Sequence, residues 1–253
     1  MRRSFEDLVS EAEAAPIEGW DFSWLDGRAT EDRPSWGYSR LVSERMASAL
    51  AALDLQTGGG ELLAGIDRLP PLLVATKGWA PNVAVAGRRL RSRRAFVVAA
   101  HDERPNLPFR AGLFDLVTSR HPVATWWDEI ARVLRPGGTF LSQQVGGDSV
   151  KELGELLRGP LPPGPRPSPG RAAAAAAEAG LVVVDTREEH LRTAFYDIGA
   201  VVYFLRLVIW IVPDFTVDRY RDRLAGLHDR ISSEGEFVTY ARRFLIEACK
   251  PTS

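Results

Sequence analysis

The chain has a single cysteine and no long uninterrupted run of apolar residues. Because Cys249 stands alone among 253 residues, it excludes an internal disulfide and a zinc site built from several cysteines. The most apolar window, residues 198–212, contains Arg206 and is shorter than the roughly 20 residues that cross a bilayer. These absences predict a protein of the reducing cytoplasm with no membrane partner.

The chain also lacks an excess of positive or negative charge, since its formal net charge is −1. A neutral chain offers no electrostatic footprint for a nucleic-acid backbone, so we expect no nucleic-acid partner. The four histidines do not stand at metal-ligand spacing from carboxylates or from the cysteine, so we expect no metal site. The first 14 residues turn acidic after two arginines and lack an apolar segment, which argues against a secretory signal.

Apolar segments of strand length and helix length alternate through most of the chain. After a first short apolar run that ends at residue 55, we predict strands at 72–76, 95–99, 114–118, 139–144 and 181–186, helices at 61–69, 82–90, 126–134 and 172–180, and a last strand at 237–250. Strands that alternate with helices in this way form a mostly parallel sheet with helices on both faces. The pattern therefore predicts an α/β fold of the Rossmann-like type.

A glycine turn follows the first of these strands. Residues 49–66 read ALAALDLQTGGGELLAGI, which predicts a strand, a tight turn at Gly58, Gly59 and Gly60, and then a helix. Glycine suits a turn whose backbone angles a Cβ would strain and whose main chain a ligand approaches closely. Exposed N–H groups at the start of the following helix favour a polar or anionic ligand group.

We expect one domain of three parts. Residues 1–40 are rich in tryptophan and turn residues and form a cap, residues 41–190 and 236–250 form the Rossmann-like core, and residues 195–235 form a helical insert. The aromatic residues of the cap either pack on the core or cover the ligand site as a lid, with Trp36 and Tyr38 over the ligand. Tyr196, in the insert, either packs in the core or helps to close an apolar pocket.

Three stretches together resemble the class I S-adenosylmethionine-dependent methyltransferases. DLQTGGG, at 54–60, occupies the place of that family's first glycine motif, and NLPFRAGLFDLVTSRHP, at 106–122, is similar to the segment that runs into its fourth strand. EIARVLRPGGTFLSQQ, at 129–144, is similar to its helix, Pro-Gly-Gly turn and fifth strand. The resemblance implies a seven-stranded, mostly parallel sheet with an antiparallel last strand, and S-adenosylmethionine as cofactor.

The same resemblance implies where the cofactor would bind, since ligands of such sheets lie at the carboxyl ends of the strands. It carries over to these positions in chain order: Asp54, Gln56, Thr57, Gly58 and Gly60 for the methionine part, Lys77 and Trp79 for the ribose and adenine, Asp102 and Glu103 for the adenine edge, and Ser119 and Arg120 beside the methyl group. Methyl transfer depends above all on the alignment of donor and acceptor.

Two of these positions depart from the family pattern. Gln56 stands where the family usually has its first glycine, so either the turn differs or the amide contacts the ligand. Lys77 stands where the family usually has an acid that accepts hydrogen bonds from the ribose, and lysine can only donate. A lost charge-assisted hydrogen bond is worth roughly 1.5–3 kcal/mol, which could weaken binding by roughly tenfold to a hundredfold.

His121 follows the fourth strand of the resemblance and is the candidate catalytic residue. At neutral pH it could act as a general base, which is required only if the acceptor carries a proton. It could equally be a structural histidine that is hydrogen-bonded to the backbone. For the acceptor itself, Trp36, Tyr38 and Tyr196 are the candidate binding residues.

We therefore expect an enzyme that transfers a methyl group from S-adenosylmethionine to a small, partly apolar or aromatic acceptor. The alternative is a non-catalytic protein of the same fold that binds a ligand or partner and whose cofactor site is altered at Lys77. A nicotinamide-dependent oxidoreductase fits poorly, because the chain lacks the Gly-x-Gly-x-x-Gly fingerprint. The absence of a Gly-x-Ser-x-Gly motif argues against an α/β-hydrolase. Oligomeric state does not follow from the sequence.

Overall fold

The computed structural model describes residues 3–17, 21–101, 106–162 and 164–252. Contacts between residues divide the chain into two compact units, each assembled from three segments. Unit 1 comprises Met1–Arg33, Gly147–Arg166 and His190–Arg242, and unit 2 comprises Pro34–Gly146, Pro167–Glu189 and Arg243–Ser253. Most of the expected cap and insert belongs to unit 1. The expectation of a single domain stays a prediction.

The helices described are α1 Phe5–Ala14, α2 Tyr38–Ser48, α3 Glu61–Ala64, α4 Ala80–Leu90, α5 Trp127–Val133, α6 Lys151–Arg158, α7 Pro169–Glu178, α8 Ile198–Leu207 and α9 Val217–Glu234. Four of them begin where a polar side chain accepts a hydrogen bond from a backbone N–H of the first turn: Ser4, Ser168, Asp197 and Thr216. Such caps satisfy N–H groups that have no partner within the helix.

The strands described are β1 Ala29–Glu31, β2 Ala51–Leu55, β3 Leu72–Lys77, β4 Phe96–Ala99, β5 Phe114–Arg120, β6 Leu134–Val145, β7 Val182–Phe195 and β8 Phe237–Cys249. They form one sheet in the order β1-β7-β8-β6-β5-β2-β3-β4. Neighbours from β6 through β4 run parallel, while β8 runs antiparallel to β6. The chain leaves β2 toward one edge and returns beside it at β5, so the strand order reverses between these two strands, which is where such sheets bind ligands.

The predicted fold class is confirmed, with one addition at the edge of the sheet. An eighth strand, β1, pairs antiparallel with the end of β7, from Ala29 opposite Phe195 to Glu31 opposite Thr193. Its three residues lie in a stretch rich in turn residues, so no apolar alternation predicted it. The helix α6 was also not predicted.

In unit 2 the two faces of the sheet each carry a core. Successive residues of a strand point to opposite faces, so Leu53 packs on one face with α5 and α7, whereas Ala52 packs on the other with α2 and α3. Both faces of the parallel strands are thus covered by helices, as parallel sheets require.

Unit 1 has a core of its own around α8, which is buried almost all round. Arg206, the charge that interrupts this apolar segment, donates from Nη1 to the carbonyl oxygens of Ala12 and Ala15 at the end of α1. The guanidinium therefore satisfies carbonyl groups that lack partners at a helix end. Within the ranges that the structure describes, no helix is long and apolar enough to span a membrane.

Helix α3 is shorter than the predicted 61–69 and ends at Ala64. The N–H of Gly65 already bonds to the carbonyl oxygens of Glu61 and Leu62, which tightens the turn and closes the helix. The apolar residues beyond this point, such as Ile66, are buried without being helical. The spacing of apolar residues alone did not distinguish buried helical residues from buried residues of a loop.

Candidate functional site

The glycine turn of unit 2 lies between β2 and α3. Its first half is held to the neighbouring strand β3, since the N–H of Thr57 donates to the carbonyl oxygen of Thr76 at 2.9 Å. Gly58 and Gly60 have φ angles of 64° and 82°. Residues other than glycine rarely adopt this left-handed backbone region, which explains why glycine occupies both positions.

Gly59 lies beside the ends of two flexible charged side chains. A Cβ at this position would collide with the carboxylate of Glu61 and lie 2.8 Å from Nη1 of Arg89. These two side chains form an ion pair with each other, and Glu61 also accepts a hydrogen bond from the N–H of Gly59 at 3.2 Å. The turn is therefore braced from outside by charged side chains.

Gln56 joins the glycine turn to the loop that follows β5. It has a φ of 57°, so it adopts the backbone conformation that glycine would adopt at no cost. Its Nε2 donates to the carbonyl oxygen of Ala124 at 2.8 Å, and its Oε1 accepts from the N–H of Val123 at 2.6 Å. Both ends of the amide are thus engaged by the loop after β5.

Asp54 is a buried acid at the end of β2. Burial raises the pKa of its carboxyl from 3.8 to about 6, although a hydrogen bond from Oγ1 of Thr118, at 2.6 Å, opposes the rise. Thr57 lies against the same carboxyl and also moderates its pKa. Yet Oγ1 of Thr57 is buried without a hydrogen bond of standard geometry to any described residue. The acid and the threonine together leave polar groups available at the turn.

The end of β5 is held by an aromatic residue of α2. The hydroxyl of Tyr38 donates to the carbonyl oxygen of Ser119 at 2.7 Å, and burial raises the pKa of this phenol well above its ordinary value. Oγ of Ser119 lies 2.8 Å from Oγ of Ser142 on β6. Arg120, the next residue, is exposed. Tyr38 is buried and therefore supports the site from beneath.

His121 takes part in a chain of hydrogen bonds that begins at Trp36. The indole Nε1 of Trp36 donates to Oε1 of Gln143 at 2.8 Å, and Nε2 of Gln143 lies 2.9 Å from Nε2 of His121. The backbone N–H of His121 also donates to the carbonyl oxygen of Gln143 at 2.7 Å. Trp36 and Gln143 are almost fully buried.

The imidazole of His121 is held neutral. Desolvation of the ring, followed by the positive charges of Arg243 and Arg120, lowers the pKa of His121 to about 3, although the residue as a whole is exposed to solvent. A group with so low a pKa takes up a proton poorly at neutral pH. The low pKa therefore argues against the role of general base that the sequence allowed, and the role of His121 in catalysis stays a prediction.

Two further predicted residues follow β3. Lys77 is buried at the last position of the strand, opposite Ala99 of β4. Trp79 caps the start of α4, its carbonyl oxygen accepts from the N–H groups of Asn82 and Val83, and half of its surface is exposed. Asp102 and Glu103, predicted for the adenine edge, lie outside the described residues.

Tyr196 lies in unit 1, where its hydroxyl is 2.9 Å from Oγ1 of Thr30. It is partly exposed, so a ligand of unit 1 could contact it. The other predicted residues that the structure describes belong to unit 2. Sequence reasoning missed Gln143, because the stretch SQQV signalled only a buried strand.

A cleft of about 480 Å³ opens in unit 2 between α7 and the end of β6. Its walls mix two aromatic side chains and several alanines of α7 with polar and charged residues: Trp127, Phe244, Thr125, Gln144, Ser168, Arg171 and Glu178. Thr125 directly follows the residue that Gln56 holds. The cleft therefore begins next to the loop that is tied to the glycine turn.

The chain is similar to known proteins both in the sequence of one segment and in its fold. Residues 53–142 match the family model described as a methyltransferase domain. The YcgJ protein of Bacillus subtilis superposes with a TM-score of 0.60 at 16% identity, over 85% of this chain and 99% of its own. The fold is that of the class I methyltransferases.

Two further methyltransferase-fold structures are similar. A candidate methyltransferase of Bacillus halodurans C-125 has a TM-score of 0.58 at 15% identity, over 84% of this chain and 98% of its own. Phosphoethanolamine N-methyltransferase 2 of Haemonchus contortus, in complex with phosphomonomethylethanolamine and S-adenosylhomocysteine, has a TM-score of 0.51 at 16% identity, over 85% of this chain and 53% of its own. No curated protein matches the chain by sequence. The domain match supports S-adenosylmethionine-dependent methylation in general.

The residues of this methyltransferase fold suit the cofactor best at its methionine end. The buried acid Asp54, the hydroxyl of Thr57 beside it and the glycine turn are polar partners for an amino acid group. Where the resemblance implies the ribose, the side chain of Lys77 is buried, and an ammonium can donate to hydroxyl oxygens but cannot accept from them. The cofactor therefore fits, with fewer hydrogen bonds at the ribose than an acid would provide.

Proposed function

We propose that this protein transfers a methyl group from S-adenosylmethionine to a small, partly apolar or aromatic acceptor. One observation carries the proposal: within the segment that matches a methyltransferase domain, a buried acid and a glycine turn meet the loop after β5 through Gln56. This arrangement lies where the strand order reverses, the usual place for ligands in such sheets. The single cysteine further supports a location in the cytoplasm.

In this proposal the chain positions the cofactor and the acceptor. Asp54, Thr57, Gly58 and Gly60 hold the methionine end, and Lys77 and Trp79 face the ribose and adenine. S-adenosylmethionine supplies an electrophilic methyl carbon when it is bound. The remaining work is alignment, because a displacement is fastest when its partners are held in line.

The cleft beside α7 supports the proposed class of acceptor. Its volume of about 480 Å³ suits a small molecule, and Trp127 and Phe244 offer aromatic surface. Trp36 and Tyr38 are buried, and their polar atoms bond to β5 and β6, so they serve the acceptor by supporting the strand ends. A near-neutral net charge also favours a small molecule over a nucleic acid.

The second candidate is a non-catalytic protein of the same fold that binds a ligand or a partner. Lys77 is the observation that favours it, since the residue is buried where the family usually has a hydrogen-bond acceptor for the ribose. The two candidates differ in whether the cofactor binds.

Calorimetric titration of S-adenosylmethionine and S-adenosylhomocysteine into the wild type and into Lys77→Glu tests the proposal. We expect micromolar binding by the wild type and binding that is roughly tenfold or more tighter in Lys77→Glu, because the new carboxylate accepts hydrogen bonds from the ribose. Lys151→Glu is the matched control, since it makes the same charge change at a half-exposed position on α6. No binding by the wild type, with binding gained only in Lys77→Glu, would replace the enzyme with the second candidate.

A further inference from the structure

We infer that Gln143 is a positioning residue that fixes the tautomer and orientation of His121, which leaves the Nδ1–H as the hydrogen-bond donor of the ring. The inference rests on the proposed function for its catalytic meaning. The geometry of the three side chains, however, stands without it. Gln143 was not among the residues predicted from the sequence.

The first step is the orientation of the Gln143 amide. An indole N–H can only donate a hydrogen bond, so the atom of Gln143 that lies 2.8 Å from Nε1 of Trp36 must be its carbonyl oxygen. The –NH₂ group then points the other way. A donor-only partner thereby removes the ambiguity between the oxygen and nitrogen ends that an amide otherwise has.

The second step is the tautomer of His121. Because the –NH₂ group of Gln143 lies 2.9 Å from Nε2 of His121, this ring nitrogen must accept. A neutral imidazole that accepts at Nε2 carries its proton on Nδ1. Protonation of Nε2 would direct two donors at each other, so the contact opposes the imidazolium form.

The charged surroundings act in the same direction. Arg120 is adjacent in the chain and Arg243 lies on β8, and the positive charges of both disfavour a second positive charge on the ring. The φ of 52° at His121 and the hydrogen bond from its N–H to the carbonyl oxygen of Gln143 fix the backbone as well. Gln143 thus holds the residue at the main chain and at the ring.

The chemical consequence concerns the acceptor. With Nε2 occupied and Nδ1 protonated, His121 has a hydrogen bond to offer and no free lone pair with which to remove a proton. Within the proposed function, the acceptor is then a nucleophile that needs no proton removed by His121 before it attacks. A carbonyl or carboxylate oxygen on the acceptor could receive the Nδ1–H.

Nitrogen-15 NMR of the histidine side chains in the protein without ligands tests the inference. We expect His121 to show a protonated Nδ1 and an unprotonated Nε2 from pH 5 to pH 8, with no titration near pH 6.5. His121→Gln identifies its resonances among those of the four histidines. A wild-type spectrum with the proton on Nε2, or a titration near pH 6.5, would overturn the inference whatever the variants do.

Two variants act on the relay, the chain of hydrogen bonds from Trp36 through Gln143 to His121. Gln143→Glu places a carboxylate against Nε2, which favours the charged ring, so we expect the pKa of His121 to rise above its ordinary value of about 6.5. Trp36→Phe removes the donor that orients the amide, so we expect the second tautomer to appear. Gln144→Glu is the control, since it adds the same charge at the next residue on the opposite face of β6, and it should leave the His121 spectrum unchanged.

The outcomes separate this inference from the proposed function. The spectra are recorded without cofactor or acceptor, so a failure to bind S-adenosylhomocysteine has no bearing on them. If Gln143→Glu and Gln144→Glu move the His121 pKa equally, the effect is general electrostatics and the positioning role is wrong. If only Gln143→Glu moves it, the specific contact is responsible.

Discussion

Gln143 and Gln144 are the same amino acid at neighbouring positions of β6, but their side chains differ in hydrogen bonding. Gln143 points to the face of the sheet that carries Trp36, and both ends of its amide have partners. Gln144 points to the face of Phe244, and its Nε2 is buried with no hydrogen-bond partner within the described ranges. The two residues have similar burial, at 3% and 9% exposed.

The difference shows that the burial of an amide side chain does not by itself reveal whether it stabilises the fold. A buried polar group with partners costs little and can orient its neighbours, whereas one without partners retains a penalty of roughly 1–3 kcal/mol. On the Gln143 face the amide orders an imidazole. On the Gln144 face the residue lines the cleft beside α7, and its amide nitrogen is buried without a partner among the described residues.

The largest expected effect comes from removing the satisfied amide. Gln143→Leu leaves the indole N–H of Trp36 buried without an acceptor and removes the donor to His121, so we expect the free energy of unfolding to fall by about 2–4 kcal/mol. Urea unfolding monitored by tryptophan fluorescence measures the change. A loss below about 1 kcal/mol would mean that the relay contributes little to stability.

Asp54 lies between these two cases. Its carboxyl group has a hydrogen-bond partner in Thr118, but burial still disfavours its ionised form. Because its pKa rises from 3.8 to about 6, the folded protein binds a proton that the unfolded chain releases. Stability from this group is therefore present at pH 4 and is lost as the pH rises to about 6, by up to roughly 3 kcal/mol.

Asp54→Asn should remove that pH dependence, because the amide keeps an oxygen that can accept from Thr118 and carries no charge. We expect the variant to be more stable than the wild type at pH 7.5 and to bind S-adenosylmethionine more weakly. Unfolding curves at pH 4.5 and pH 7.5, with a titration of the cofactor, measure both effects. Equal pH dependence in the two proteins would show that Asp54 is not the titrating group.

The smallest expected effect is that of Gln144→Leu. Replacing a polar side chain whose nitrogen lacks a partner by an apolar one of similar size removes a penalty, so we expect stability to stay the same or to rise by up to about 1 kcal/mol. The same unfolding assay as for Gln143→Leu makes the comparison direct. A loss as large as that of Gln143→Leu would show that Gln144 has a structural partner and would end the contrast between the faces.

The sequence was most informative where a pattern is local. Most strands and helices of the core were predicted to within a few residues, but β7 extends nine residues beyond the predicted end at 186 and α3 ends five residues before the predicted end at 69. The glycine turn at 58–60 was predicted correctly, and Gly58 and Gly60 have the positive φ angles that favour glycine. The expected helical insert at 195–235 contains two helices, α8 and α9.

Contacts between distant positions were the part that could not be predicted. Trp36 and Gln143 are 107 positions apart, and no periodicity links a cap residue to the first of two glutamines in a strand. Gln56 was noticed as a departure from a glycine, but its role in holding Val123 and Ala124 depends on which strand ends lie together. Such pairings follow from topology, which short patterns do not specify.

The place of β8 in the sheet has a consequence for the nascent chain. β8 lies between β6 and β7, and its residues pair with β6 from Thr139 opposite Cys249 to Val145 opposite Arg243. On the ribosome, β6 is complete long before β8 is synthesised, so its hydrogen-bonding edge stays open in the meantime. Open apolar edges invite pairing with other chains. Translation speed through the segment that separates these strands, and the chaperones present, should therefore govern how much of the protein reaches its folded state.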